Sequence, residues 1–145
     1  MEIPQIVRSY VEAFSARDLD GCLAPFASDG TYTDPSLPQP TRARELKEFF
    51  GGFFASFPDQ TYETVGLHAI SDHVWVWRWV MRGTNTGSFG GLAPTGRKVT
   101  QPGCEFIEVR DGRIRSVVGY YDVLTLLTQL GLAPSPPTPA NSSRE

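Results

Sequence analysis

Two carboxylates in apolar surroundings are the side chains of this chain best suited to move a proton. Asp34 stands in TYTDP and Glu105 stands in PGCEFIEV. A residue before proline is held extended, so Asp34 either starts a turn or forms a fixed carboxylate beside Tyr32. Glu105 shares a strand face with Ile107 and Val109, and it points inward if that face is buried. A desolvated carboxylate has a raised pKa and suits proton abstraction.

Other polar residues are further candidates. Tyr10 lies on the apolar stripe of the first predicted helix, either as a core tyrosine or with its hydroxyl bonded to a buried partner. Glu63 lies on the first predicted strand of the sheet, and His68 has no partner that the sequence suggests. Glu108 alternates with Glu105 and is expected to point to solvent, towards Arg113 or Arg115.

An aromatic strand could form the wall of a binding site. VWVWRWVM places Trp75, Trp77, Trp79 and Met81 on one strand face. Such a wall is explained by core packing, by a subunit interface, or by a pocket for a flat hydrophobic ligand. The phenylalanines expected to face it from a helix are Phe50, Phe53 and Phe54.

The hydrophobic periodicity predicts the elements that position these residues. Helices are predicted at 3–14 and 19–26, from an N-cap at Thr41 through 42–57, and at 122–132 with Gly131 at C′. GTYTDP is a short extended piece, and strands are predicted at 62–70, 74–84, 97–109 and 113–121. Helices followed by an antiparallel meander indicate an α+β fold, a curved sheet around N-terminal helices with one pocket. Residues 1–132 form a single predicted domain, and 133–145 a disordered Pro/Ser-rich tail.

Composition limits the classes of partner. The 145 residues carry a net charge of −3, which argues against nucleic acid because phosphate binding favours a basic surface. Cys22 and Cys104 lack metal-site spacing and are predicted to be free thiols, so no metal is expected. No secretory h-region or membrane-spanning run is present, which predicts a cytoplasmic protein without a membrane partner. No phosphate loop, dinucleotide fingerprint or GxSxG motif occurs.

Two stretches resemble known families of the nuclear-transport-factor-like superfamily, which are cone-shaped α+β barrels. GTNTGSFGGLAPTGRKV, VRDGRI and YYDVLTLLTQLGL together resemble the SnoaL-like polyketide cyclases. RSYVEAFSARDLDGCLAPFASDGTYTDP resembles the ketosteroid isomerases. The resemblance implies chemistry without a cofactor and a homodimer formed through the sheet.

The two resemblances imply different site residues. Ketosteroid isomerases use a tyrosine and a protonated carboxylic acid as oxyanion donors and an aspartate as base, and these places are held by Tyr10, Glu105 and Asp34. The cyclases carry Asp-x-x-Asp at the last strand end, with the first aspartate as acid/base. Here the first position is Gly119 and the second is Asp122, which we interpret as a helix cap. The cyclases also tend to have histidine and asparagine at positions 105 and 34.

A third branch of the superfamily is excluded by the same matching. Limonene-epoxide hydrolases need an Asp-Arg-Asp triad, and the matching residues are Trp79, Met81 and Gly119. The leading hypothesis is an acid/base isomerase or aldol-type cyclase acting on a hydrophobic carbonyl compound, polyketide- or steroid-like, in the pocket formed by Tyr32 and the aromatic wall. The alternatives are a non-catalytic binding protein for a hydrophobic small molecule and an association domain that uses the sheet face.

Overall fold

The computed structural model describes residues 2–134 and Pro137. The helices are α1 (Gln5–Ser15), α2 (Leu19–Leu23), α3 (Leu46–Ser56) and α4 (Val123–Gln129). The strands are β1 (Phe26–Thr33), β2 (Thr41–Arg42), β3 (Thr61–Ala69), β4 (Val74–Thr84), β5 (Lys98–Arg110) and β6 (Arg113–Tyr121), and a 3-10 turn spans Ala43–Glu45. The predicted α+β class is confirmed.

All six strands form one open, curved sheet in the order β2-β1-β6-β5-β4-β3. β3 to β6 make the predicted antiparallel meander, whereas β1 runs parallel to β6. The sequence did not predict this parallel pairing, because alternation shows which residues share a face and not which strands are neighbours. The pairing brings the end of β1 beside the end of β6, next to the central strands.

The first helix covers the inner face of the sheet. Its buried residues include Val7, Tyr10, Val11 and Phe14, the stripe that its periodicity predicts. The ring of Tyr10 meets Trp77 edge-on, with 6.2 Å between ring centroids. Burial of this stripe fixes the position of the Tyr10 hydroxyl over β4 and β5.

The predicted N-cap of the third helix is wrong. Thr41 lies in β2, where it pairs with Tyr32 of β1. α3 begins at Leu46, and Glu45 at its N-cap makes no side-chain hydrogen bond to the helix. A β-branched residue next to a strand that can pair with it gains ladder contacts, and here these outweigh its capping preference.

The strand register determines which residues lie beside Glu105. Glu105 of β5 lies opposite Trp77 of β4 and opposite Gly119 of β6. Since directly opposed residues share a face and Trp77 and Glu105 are both buried, Glu105 points inward, an orientation that the sequence left open. Asp122 accepts a hydrogen bond from the Thr125 amide at 3.1 Å, and Gly131 has φ of 74° after α4, so both predicted caps are confirmed.

The ends of the chain leave two predictions untested. The predicted disorder of 133–145 falls mainly on residues outside the described part, and the domain boundary at 132 stays a prediction. Among the described residues, no helix is long and apolar enough to cross a membrane.

Candidate active site

A cavity of about 850 Å³ lies between α3 and the inner face of the sheet. Its wall is largely aromatic and includes Tyr32, Phe49, Phe50, Tyr62 and Trp79. Asp34 and Glu105 are the carboxylates of its interior, and both are buried. A volume in this range accommodates a small organic molecule.

The structure divides the predicted lining residues into two groups. Tyr32, Phe50, Phe53, Trp79 and Met81 line the cavity. Trp75, Trp77, Phe54 and Gly119 do not lie in its wall, and neither does Tyr10, which was predicted as a catalytic residue.

Physical causes are visible for the residues outside the wall. Trp77 is fully buried, and its indole N–H donates a hydrogen bond to Thr64 Oγ1 at 3.0 Å. Trp77 is therefore a core residue. Trp75 is also a buried core residue. Phe54 packs against Phe14, with 5.6 Å between ring centroids. The aromatic stripe of β4 is therefore core at its first half and cavity wall at its second half.

Glu105 is a buried carboxyl group with one tyrosine donor. Its Oε1 accepts a hydrogen bond from the Tyr10 hydroxyl at 2.7 Å. The pKa of Glu105 is raised from 4.5 to about 7, mainly by burial and in part by the nearby Asp34 charge, while the Tyr10 hydrogen bond and the nearby Trp79 indole N–H act in the opposite direction. Burial also raises the pKa of Tyr10. Tyr10 therefore remains a hydroxyl donor at neutral pH.

Asp34 is held by three donors. Its Oδ2 accepts from the Tyr32 hydroxyl at 3.0 Å. Its Oδ1 accepts from the Ser36 amide at 2.7 Å and from the Ser36 hydroxyl at 2.6 Å. The two bonds from Ser36 form an Asx-type turn after the Asp-Pro step. Both sequence interpretations of Asp34 hold together, since it starts a turn and also lines the cavity.

The two carboxyl side chains converge at Gly119. A Cβ atom built on Gly119 would lie 3.4 Å from Asp34 Cβ, 3.5 Å from Glu105 Cγ and 3.5 Å from the Tyr32 oxygen. These are ordinary contact distances. Asp34 and Glu105 thus form one pair across the end of β6, and the absence of a side chain at 119 leaves space between them.

The other polar candidates lie outside the site. Glu63 is exposed and pairs with Arg82 at 2.9 Å, and His68 is exposed. Glu108 points outward as predicted, but its ion-pair partner is Arg110, at 3.0 Å, rather than Arg113 or Arg115. Arg110, two residues further along the same strand, is nearer to Glu108 than the two arginines of the neighbouring strand.

Sequence reasoning missed several polar residues of the cavity wall. Ser36 was missed although the Asp-Pro-Ser spacing is a recognisable signal for an Asx turn. Gln101 shares the inner face of β5 with Glu105 because the two are four residues apart. Tyr121 comes from the strand end that precedes the Asp122 cap. In the part of the chain that the structure describes, no group of three His, Cys, Asp or Glu residues could hold a metal ion.

Helices on a curved, open sheet, with two buried carboxylates in an aromatic cavity, define a class of α+β proteins with one internal site. Within that class the chain belongs to the SnoaL-like polyketide cyclase family, whose family model matches residues 4–130.

Solved structures agree with this fold. IdmH, a proposed polyketide cyclase from Streptomyces antibioticus, is 28% identical over 88% of this chain and 96% of its own, with a TM-score of 0.72. AclR, a proposed hydroxylase from Streptomyces galilaeus, is 22% identical over 92% and 83%, with a TM-score of 0.79. A ketosteroid isomerase-like protein from Catenulispora acidiphila, in complex with trimethylamine, is 20% identical over 95% and 100%, with a TM-score of 0.75. No curated protein sequence matches the chain significantly.

Proposed function

We propose that this protein is a cyclase-type enzyme that moves a proton at the carbon next to the carbonyl group of a hydrophobic ring compound. The outcome is an aldol-type ring closure or the shift of a double bond. The observation that carries the proposal is the Asp34–Glu105 pair, buried in an aromatic cavity and held by tyrosine hydroxyls. The family and the resemblance to IdmH support the same reaction class.

The cavity wall disfavours an anionic ligand. Its titratable side chains, apart from tyrosines, are the carboxylates Asp34, Glu45, Glu48 and Glu105, with no lysine, arginine or histidine among its described lining residues. An anionic substrate would enter without a compensating cation, at a cost that increases in a poorly solvated cavity. A neutral polyketide- or steroid-like ketone fits both the charge and the aromatic wall.

The reaction class is tested by α-proton exchange on a hydrophobic ketone. We expect the protein to accelerate exchange of the C2 protons of 1-tetralone in D₂O, followed by proton NMR, and a variant with both Asp34→Asn and Glu105→Gln to lose this acceleration. Asp29→Asn is the matched control, because Asp29 lies on β1, which directly precedes Asp34, but is exposed, 3.6 Å from Arg115. No exchange with the unaltered protein would reject the proposed reaction.

A non-catalytic binding protein is the second candidate. The observation in its favour is Gly119, which offers no side chain where the cyclase acid/base aspartate is expected. Equilenin fluorescence distinguishes the two functions. Binding of equilenin without exchange of 1-tetralone protons supports the binding protein, and binding with exchange supports the enzyme.

The partner and the location are also proposals. The outer face of the sheet carries a shallow groove that includes Val65, Val76, Phe106 and Tyr120, and Val65 and Tyr120 are exposed. We propose that a second copy of the chain covers this face, which sedimentation at micromolar concentration tests through the mass. Cys22 and Cys104 are free thiols, and this fits a reducing cytoplasm.

A further inference from the structure

We propose that Glu105 takes the proton from the substrate through its Oε2 atom. In this assignment Tyr10 is a positioning residue. Asp34 is held in place by its hydrogen bonds and does not transfer the proton. The inference rests on the proposed function and assigns the roles within it. It differs from the assignment that the ketosteroid isomerase resemblance implies, in which Asp34 is the base and Tyr10 and Glu105 bind the substrate oxygen.

The geometry of Tyr10 is the first argument. Its side chain is fully buried and lies outside the cavity wall. Its one hydroxyl proton is donated to Glu105 Oε1 at 2.7 Å. A hydroxyl donates one hydrogen bond, so Tyr10 has no proton left for a substrate oxygen. It orients Glu105 instead.

The difference between the two carboxylates is the second argument. Both oxygens of Asp34 accept hydrogen bonds, three in total. In Glu105 only Oε1 accepts a hydrogen bond of normal geometry from the described residues. The buried Trp79 indole N–H lies near enough to lower the pKa of this carboxyl group but makes no such bond to it. Glu105 also lines the cavity. A substrate proton can therefore reach Oε2 without breaking an existing hydrogen bond.

The surroundings of Glu105 are the third argument. Burial gives this carboxyl group a pKa of about 7, close to the value at which a group both takes and returns a proton efficiently near neutral pH. The titratable groups that face it are Tyr10, Cys22, Tyr32, Tyr62 and Asp34, and Cys104 feels its charge from the outer face of the sheet. Burial raises the pKa of each tyrosine and thiol of this set, so these remain neutral at pH 7.

The proton transfer balances without a further reactant. The bond between the α carbon and its hydrogen breaks, and a new bond forms between that hydrogen and Oε2 of ionised Glu105. The electron pair of the broken bond forms the carbon–carbon double bond of the enolate, and the negative charge moves to the carbonyl oxygen. One negative charge thus moves from Glu105 to the carbonyl oxygen, and the total charge of the cavity does not change. Return of the proton to a different carbon completes an isomerisation, and attack of the enolate on a second carbonyl completes a ring closure.

Single variants in the 1-tetralone exchange assay test the assignment. Glu105→Gln is expected to lower the exchange rate by about 100-fold or more, the contribution of a general base, whereas Asp34→Asn lowers it by less than about 10-fold. Glu108→Gln is the matched control on the outer face of the same strand. Far-UV circular dichroism and equilenin binding show that each variant is folded. The assignment is overturned if Asp34→Asn carries the large loss and Glu105→Gln the small one.

The pH profile tests the assignment without altering either carboxylate. Exchange by the unaltered protein is expected to rise with pH through about 7, as Glu105 ionises. Tyr10→Phe removes a hydrogen bond that lowers this pKa, so the rise moves to higher pH; Tyr120→Phe, an exposed tyrosine, leaves it in place. Activity that falls through pH 7 would instead identify protonated Glu105 as the working form and reject the proposal. Absence of any exchange rejects both the reaction class and the assignment.

Discussion

Gly119 lies directly opposite Glu105 in the β5–β6 ladder, and a Cβ at this position would also meet Asp34 at 3.4 Å. The residue that separates the two carboxyl side chains therefore has no side chain of its own. Its contacts are of ordinary length, so a larger residue could be introduced with modest displacement. Position 119 is consequently a place where the electrostatics of the pair can be changed directly.

Gly119→Asp is predicted to move the pH dependence of Glu105. A third carboxylate near the pair disfavours ionisation, so the pKa of Glu105 rises above about 7. The rise of 1-tetralone exchange with pH should shift to higher pH by the same amount. Gly119→Asn is the control of equal size without charge. An identical shift in both variants would show that volume, and not charge, is responsible.

Glu105→Gln is predicted to change how stability depends on pH. The folded pKa of Glu105 is raised from 4.5 to about 7, so between these values the unfolded chain loses the proton first and stability falls as pH rises. The loss amounts to about 3 kcal/mol by pH 8. Glutamine cannot ionise, so the variant should gain about that much relative to the unaltered protein between pH 4.5 and 8, measured by urea unfolding.

Glu108 provides the control for this stability measurement. It lies on the same strand, but its hydrogen bonds to Arg110 and Ser116 lower its pKa. Glu108→Gln should therefore show no gain in stability between pH 4.5 and 8. A difference between Glu105→Gln and the unaltered protein that stays constant over this range would contradict the raised pKa of Glu105.

Gly103→Ala is predicted to disturb the cavity wall. A Cβ at this position would overlap the Trp79 ring, with 2.7 Å to Cζ2 and a closer approach to Cη2. Moving a buried indole costs about 1–3 kcal/mol of stability and should weaken equilenin binding. Thermal unfolding and tryptophan fluorescence measure the two effects.

Gly52→Ala is the glycine control. Gly52 lies inside α3, and a Cβ there has no neighbour within 4 Å. Alanine should therefore stabilise the protein by about 0.5–1 kcal/mol through helix propensity. Equal destabilisation by both substitutions would show that loss of glycine, rather than displacement of Trp79, is the cause.

Asp122→Ala is predicted to separate stability from chemistry. Asp122 caps α4 through the Thr125 amide and hydroxyl and is exposed, so its loss should lower the thermal unfolding midpoint. The rate of 1-tetralone exchange per folded molecule should not change, since Asp122 does not line the cavity. Restoration of the midpoint by Asp122→Ser would confirm the capping role. A loss of exchange by 100-fold in folded protein would instead place Asp122 in the site.

The hydrophobic periodicity of the sequence predicted most of the helices and strands because it shows which face of each element is buried. The strands at Val74–Thr84 and Arg113–Tyr121 follow from alternation and its flanking turns. Alternation also placed Glu105 on the face of Ile107, but whether that face is buried was decided only by the structure. The parallel neighbour of β6 and the strand at Thr41 depend on pairing between distant segments, which no local pattern encodes.

The site was partly predictable for the same reason. Residue type and strand or helix face identified Asp34, Glu105 and Tyr10 as separate candidates, and the resemblance to the ketosteroid isomerases implied that they share one site. Side-chain packing between elements decides the rest and is seen only in the three-dimensional structure. It determines that the Tyr10 hydroxyl donates to Glu105 and that Trp75 and Trp77 are buried in the core.

The hydrogen bond between Tyr10 and Glu105 joins residues 95 positions apart in the chain, and Asp34 comes to the pair only through the pairing of β1 with β6. Contacts of such long range form late, after the entropy of closing large loops has been overcome. A nascent or partly folded chain with only its helices, or only its hairpins, leaves Glu105 in water with an ordinary carboxyl pKa. The raised pKa of Glu105 therefore depends on contacts between distant segments of the chain, and it reports whether those segments have come together.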